Sequence, residues 1–499
     1  MSAIITEKFR LHNAEQFYES FSEAAKSTYY MFIGKSTPYT SGTSGGTDSS
    51  PPTPADDVGS EFYYWDDMIA AKLIGSSDTP YAIPRRNWAN STTYDMYEHN
   101  ISTSNTTTSG ATNLYDSTFY FMTSAYKVYK VLDNNGGTAF SGTEPTATGN
   151  DPFASGGYVL QYMYTLTTSE VEKFLTTDFM PVSTDSTVSS AAVDGSIDSI
   201  IVTGGSGYTD GTYYTAVYGD GTSAGTSSGA VVSIKVTSGA IVSFGMTAGT
   251  DTVLHADGAG YTYGTINLGD DYIFTNATLS TSGSLGSGSG GSISVVVSPK
   301  GGHGKDAVKE LGGHYVMLNT SLTQAENDDV TTANDFRRVG LVTDPYNYGT
   351  TTVATATTRR MTKAMKLSSV SGTFDGDEKV SQASTGAIGK VVEWDSSNNI
   401  LYIVQERFGD YGTNGTTGAF VAFSGANQIT GATSSAVGTP DSTADSAVTL
   451  AGGNTITFTD GYANPELDPD SGDVIYIENR KPISRSSDQT EDIKLIVEF

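Results

Sequence analysis

A chain of 499 residues with 27 basic against 55 acidic side chains carries a formal charge of −28, a field that repels phosphate backbones and excludes nucleic acid as the expected partner. Cysteine is absent, which excludes disulfide scaffolds, thiolate zinc sites and thiol catalysis. The polar excess is Ser, Thr and Gly rather than charge, and with 30 tyrosines and 56 glycines it points to a mainly β protein with many turns. No run of about 18 apolar residues occurs, so no transmembrane helix is expected. The start of the chain carries Glu7, Lys8 and Arg10 and has no apolar run of signal-peptide length. A soluble protein, made and assembled in a cytoplasm, is the resulting expectation.

In chain order, the spacing of Leu11, Ala14, Phe17, Tyr18 and Phe21 predicts a helix over Leu11–Ala25. A strand follows over Tyr29–Ile33, stopped by Gly34, and Thr40–Pro54 reads as a loop. Phe62–Ile74, with Trp65, Met68, Ile69 and Leu73 on one side, predicts a second short helix. Strands are predicted over Thr118–Met122, Ala125–Leu132 and Tyr158–Leu166, then a short helix over Ser169–Phe174 capped by Ser169.

From about Ser186 to Pro299 charges become sparse and Gly, Ser and Thr dominate. Gly205–Tyr213 and Gly258–Ile266 repeat one G-x-G-Y-T-x-G-T element, which predicts a small repeated β module with the tyrosines as packing anchors. A phosphate cradle is disfavoured, because neither copy has the Lys-Ser/Thr ending or opens a helix. Strands are predicted at Ala230–Val236, Ala240–Phe244 and Ser292–Val297. A helical turn at Lys305–Leu311 and strands at His314–Leu318 and Asp335–Val342 come next. A further Gly/Ser/Thr-rich block holds predicted strands at Gly389–Trp394, Ile400–Gln405 and Ala419–Phe423, and the end of the chain, Asp473–Glu478 and Asp492–Phe499, returns to a more charged style like the beginning.

The expected organisation is a β-sandwich core built from both chain ends, with a few short helices and inserted β modules. Residues 1–185 form its N-terminal part, 186–299 the first module, 300–367 a return to the core, 368–453 the second module and 454–499 the C-terminal part. Both modules are expected at the surface and dispensable for folding.

The search for chemistry yields little. His12, His99, His255, His303 and His314 include no helical i, i+4 pair, and a metal shared by His303 and His314 is disfavoured. Asp468–Asp473 is similar to a calcium loop, but Asp473 stands where glycine is required, so an acidic turn is the better reading. Arg85-Arg86, Arg337-Arg338 and Arg359-Arg360 read as solvated or salt-bridged pairs. No catalytic residue, metal or cofactor is expected.

Four segments carry a family resemblance. They are Lys8-Phe9-Arg10 through Phe17-Tyr18 with Tyr30–Tyr39; Ala82-Ile83-Pro84-Arg85-Arg86-Asn87-Trp88; Gly157-Tyr158-Val159 through Tyr164; and Val474–Ile483 with Asp488-Gln489-Thr490-Glu491-Asp492-Ile493 and Phe499. In this order they resemble the dimeric baseplate wedge subunit of T-even-like contractile-tailed bacteriophages, in an expanded form similar to relatives from phages of aquatic bacteria. The resemblance implies a β-sandwich homodimer in the tail baseplate of the virion, assembled in the host cytoplasm. It implies contacts with other wedge proteins that couple host contact to sheath contraction, and no enzyme activity or cofactor. The alternative is a carbohydrate-binding or glycan-degrading tail-associated β protein, suggested by the tyrosine-rich composition. The candidate interface or structural residues are Arg85, Arg86, Trp88, Glu478, Asn479 and Arg480. For the first three, the leading reading is a structural turn with Arg–carboxylate pairs and Trp88 packed inside; the second is an interface hot spot. Pro482 is expected to end a strand that exposes Glu478 and Arg480.

Overall fold

The computed structural model describes residues 4–24, 26–39, 45–221, 229–326, 328–332, 334–407, 411–413 and 416–499. The fold is mainly β, with several sheets and a few short helices, as the composition predicts. The chain divides into two compact units. The first holds the chain up to Glu15, Pro80–Met317 and Ile496–Phe499; the second holds Gln16–Thr79 and Leu318–Leu495.

In the first unit a four-stranded antiparallel sheet runs in the order Tyr120–Met122, Lys127–Asp133, Tyr158–Thr165, Phe153–Ser155. Its two central strands are buried almost throughout, which is why Tyr158–Thr165 alternates only loosely in sequence. Phe119, Phe121, Tyr129, Phe140 and Tyr158 fill the core, with edge-on ring pairs such as Phe140–Tyr158 at 5.2 Å. Tyr81–Pro84 pairs with Phe179–Pro181 on one side and with the start of Tyr315–Thr323 on the other, and so fixes where the Arg85–Trp88 motif begins. The helix before Phe179 covers Thr168–Phe174, and its cap is Thr167, which forms a reciprocal capping box with Glu170 in place of the expected Ser169 cap.

The Gly-rich segment lies in the same unit. Ser199–Ser206 pairs with Ser289–Val296, and Gly211–Ala216, Val231–Thr237, Ala240–Ile241 and Val253–Ala256 form a separate sheet. Both copies of the repeated element place two glycines at positive φ: Gly205 and Gly207 have φ of 63° and 79°, Gly258 and Gly260 have 62° and 72°. A Cβ on Gly205 would stand 2.3 Å from the Gly291 nitrogen, and one on Gly258 would stand 2.6 Å from the Ala230 nitrogen, so only glycine fits. The tyrosines anchor these turns as expected. Tyr208 Oη accepts the Gly291 N–H, and Tyr261 Oη accepts the Ala230 N–H and donates to the Val217 carbonyl. The segment shares its core with Leu132 and Val159 of the preceding sheet.

The second unit is built on a five-stranded sheet in the order Thr358–Arg360, Met68–Ile74, Tyr29–Gly34, Asp335–Thr343, Asp473–Ser484. Tyr30, Phe32, Trp65, Met68 and Val342 form its core. Here the expected Phe62–Ile74 helix is corrected. The helix covers Val58–Asp66, capped by Asp57, and Met68–Ile74 is a strand paired along Tyr29–Gly34. The apolar run Met68-Ile69-Ala70-Ala71 satisfies either period, and burial of all four residues is what a strand inside a sheet requires. The first helix of the chain covers Glu7–Glu19, a turn earlier than the spacing suggested; Ala25 and part of the Thr40–Pro54 loop lie outside the described residues.

The second sheet of this unit closes on itself. Ile400–Val404, Ala387–Asp395, Lys379–Gln382, Ile429–Gly431, Val437–Pro440 and Lys363–Ser371 pair in sequence, and Lys363–Ser371 pairs back onto Ile400–Val404. Closure removes free edges, and the interior holds Met365, Leu367, Val380, Val391, Leu401 and Ile403. Ala419–Phe423, expected as a strand, is not one; among the described residues it contributes a bridge from Phe420 to Thr413.

Candidate functional site

The Arg85–Trp88 motif leaves its strand at Pro84 and is held at almost every residue. The Arg85 N–H donates to the Asp178 carbonyl, the Arg86 carbonyl accepts the Met122 N–H, and the Trp88 N–H donates to the Met122 carbonyl, at 2.7, 2.7 and 2.8 Å. The guanidinium groups face carbonyls and a ring, not the expected carboxylates. Arg85 Nη1 donates to the Thr176 carbonyl at 2.7 Å and Nε to Asn87 Oδ1 at 2.9 Å. Arg86 Nη2 donates to the Tyr115 carbonyl at 3.0 Å, and its guanidinium lies 4.3 Å from the centre of the Tyr120 ring. Burial lowers the pKa of Arg86 below its ordinary value. Trp88 packs on the core of this unit with its ring edge-on to Phe140 at 5.8 Å. Its indole N–H and Arg86 Nη1 are buried without a hydrogen-bond partner among the described residues.

Glu478, Asn479 and Arg480 lie in the other unit, on the strand Asp473–Ser484 at the edge of the five-stranded sheet. This strand runs past Pro482, which was expected to end it. An edge position tolerates a missing N–H, and the register shift opposite Phe336–Arg338 falls beside the proline. Glu478 and Arg480 stand 3.7 Å apart with about half of each side chain exposed. Asn479 turns inward. Its Oδ1 accepts from Arg338 Nε at 3.0 Å and its Nδ2 donates to the Pro52 carbonyl at 3.0 Å.

Asn479 thereby joins a buried charge cluster that sequence reasoning missed. Arg338 Nη1 contacts both Asp67 oxygens, at 2.6 and 2.5 Å, over the Tyr64 ring. Lys35 Nζ meets Glu406 Oε1 at 3.1 Å. These side chains line a cavity of about 180 Å³. Burial pushes the Asp67 carboxyl up to about 6, against the opposing pull of Arg338 and Lys35. Lys35 and Glu406 are 371 positions apart, so no sequence spacing connects them; Arg337-Arg338 was visible as a pair, its carboxylate partners Asp48 and Asp67 were not. A buried cluster of this kind costs desolvation and returns fixed geometry, here between the helix end at Asp67, the edge strand and the barrel.

No group of three or more His, Asp or Glu side chains among the described residues could hold a metal ion. His314 meets Arg10 at 3.3 Å, and His99 accepts the Val297 N–H at 3.3 Å. In the Asp468–Asp473 turn the Asp468 carbonyl accepts from Ser471, and Asp470 faces Arg407 at 3.4 Å. Among the described residues no helix is long and apolar enough to cross a membrane.

Comparison with known proteins adds one finding. No curated protein matches the chain. A family model described as Bacteriophage T4, Gp8 matches residues 3–148 and 437–499, less than half of the chain but including both of its ends. Gp8 is a baseplate wedge protein, and the matched residues include all six candidates, Arg85, Arg86, Trp88, Glu478, Asn479 and Arg480. This similarity supports a structural protein of a phage baseplate.

Proposed function

We propose that the chain is a homodimeric wedge component of a contractile phage tail, which binds other baseplate proteins and helps transmit host contact to sheath contraction. Its place is the virion baseplate, after assembly in the host cytoplasm, and its work is mechanical rather than catalytic. The observation that carries this reading is the family match at both ends of the chain. The edge strand supports it: Asp473–Ser484 is 12 residues long, closes one side of its sheet, and carries a half-exposed Ile475 beside the Glu478–Arg480 pair. A long edge with apolar and charged side chains is suited to contacts with another chain. The test is a cryo-EM map of purified tails together with light scattering on the isolated chain. Density for this chain in the wedge and a dimer mass at micromolar concentration are expected. A chain missing from purified tails would defeat the proposal.

A further inference from the structure

The first unit contains a second polar cavity, of about 310 Å³, away from the Arg85–Trp88 motif. Its wall is built by Ser196 and Asp198, by the turn that carries His303, and by the rim residues Asp151 and Asp257. Glycine places His303 there: Gly302 and Gly304 have φ of 95° and 83°, and a Cβ on Gly302 would meet the Val193 backbone at 2.4 Å.

Three features of this cavity are unbalanced. His303 is 6% exposed, and neither ring nitrogen has a hydrogen-bond partner among the described residues. Its Nε2 lies 3.7 Å from Asp198 Oδ2, beyond hydrogen-bond reach. Three carboxylates, Asp151, Asp198 and Asp257, line this one cavity. Burial raises Asp198, and Asp257 at the rim is pushed up to about 6 by desolvation and by the charges of Asp198 and Asp151. Lys130, a buried cation whose field reaches Asp198 and His303, is already bound to Glu310.

We propose that this cavity binds a cation through its N–H groups, a primary ammonium or a guanidinium, held by Asp198 and Asp257, with His303 accepting one further hydrogen bond and Asp151 adding negative charge at the rim. Burial and the Lys130 charge keep the His303 ring neutral, so one nitrogen is an acceptor. A bare metal ion fits poorly, because it needs ligands within about 2.6 Å of one point and the described residues offer no such set. An N–H cation spans wider spacing, since each donor reaches an acceptor at about 2.8 Å along its own direction. The cation is either a free amine or a Lys or Arg side chain of a neighbouring chain.

The test is calorimetric titration of the full chain with butane-1,4-diamine and with methylguanidinium, with calcium and magnesium run in parallel. Saturable binding of at least one N–H cation is expected. It weakens about tenfold or more in Asp257→Asn and in Asp198→Asn, the effect of losing a hydrogen bond to a charged group. Asp257 lies at the rim with its carboxyl raised to about 6, so Asp257→Asn should melt no lower than the parent chain and keep the experiment interpretable. No saturable binding at millimolar concentration, binding by both variants as tight as the parent's, or tighter binding of a divalent ion that the diamine does not displace overturns the assignment. Repeating the titration on purified tails separates the sources. Retained binding points to a free amine; blocked binding points to a neighbour's basic side chain, and that arm alone rests on the baseplate reading.

Discussion

Asp133 places a carboxylate at 9% exposure at the end of the strand Lys127–Asp133. It accepts the Asn135 N–H at 2.8 Å, and burial still pushes its carboxyl from 3.8 to about 6. A carboxyl raised in the folded state binds its proton more tightly there than in the unfolded chain. Its contribution to stability is therefore complete below about pH 4 and is lost as pH rises to about 6, by about 3 kcal/mol over the window. Asp133→Asn removes this titration. The variant is expected to be more stable than the parent above pH 7, with the advantage shrinking toward pH 4; urea unfolding across that range measures it. An advantage that does not change with pH would show that Asp133 is ionised normally. The sequence announces such a residue only as an acidic break in an apolar run. Arg85 and Arg86 teach the same limit: their motif was visible, but carbonyl and ring partners can be assigned only once Thr176, Tyr115 and Tyr120 are placed beside them.

Elements were legible where local chemistry left one choice. Tyr29–Ile33 is apolar and ends in Gly34, and it folds as an inner strand; the tandem glycine element predicts its own turns. Met68–Ile74 was misread because helix and buried strand share its pattern, and Ala419–Phe423 because its apolar spacing suggests an inward face, whereas Phe423 is buried but Ala419, Phe420 and Ala422 are exposed. The barrel was invisible, since closure depends on pairing Lys363–Lys366 with Ile400–Ile403, which no local pattern encodes. The tandem turns can be tested directly. Gly258→Ala puts a side chain at φ 62° and within 2.6 Å of the Ala230 nitrogen, so a loss of about 2 kcal/mol is expected. Gly149→Ala is the control, because a Cβ there meets nothing within 4 Å and its φ is not positive. Equal stability of the two variants in denaturant would mean that the Gly258 turn relaxes freely.

The whole molecule sets a harder question, whether the Gly/Ser/Thr-rich segments can be removed. Composition expects residues 368–453 to be dispensable. The contacts within the second unit argue the other way. Lys35 and Thr37, just beyond the strand Tyr29–Gly34, bond Glu406 next to the barrel strand Ile400–Val404. Lys390 of the barrel reaches the Ser36 carbonyl, and Arg407 pairs with Asp66 at 3.0 Å. Lys35 and Glu406 are only 5% and 4% exposed. Replacing Ser371–Gly452 by a short Gly/Ser linker would take away the carboxylate that Lys35 is paired with, and breaking one such buried pair costs about 3–5 kcal/mol. The strand Lys363–Ser371 would also lose its pairing with Ile400–Val404 and Val437–Pro440. A typical domain has about 5–15 kcal/mol of stability in total, so these losses are large enough to loosen the five-stranded sheet. Faster hydrogen exchange at Tyr29–Gly34 is therefore expected in the shortened chain, relative to the parent. The double variant Lys35→Met with Glu406→Leu separates the two causes, since it removes both charges and keeps the barrel. If it exchanges like the parent while the shortened chain does not, barrel packing carries the effect. If the shortened chain protects Tyr29–Gly34 as well as the parent does, the barrel is an independent unit and the buried ion pair is not a structural tie.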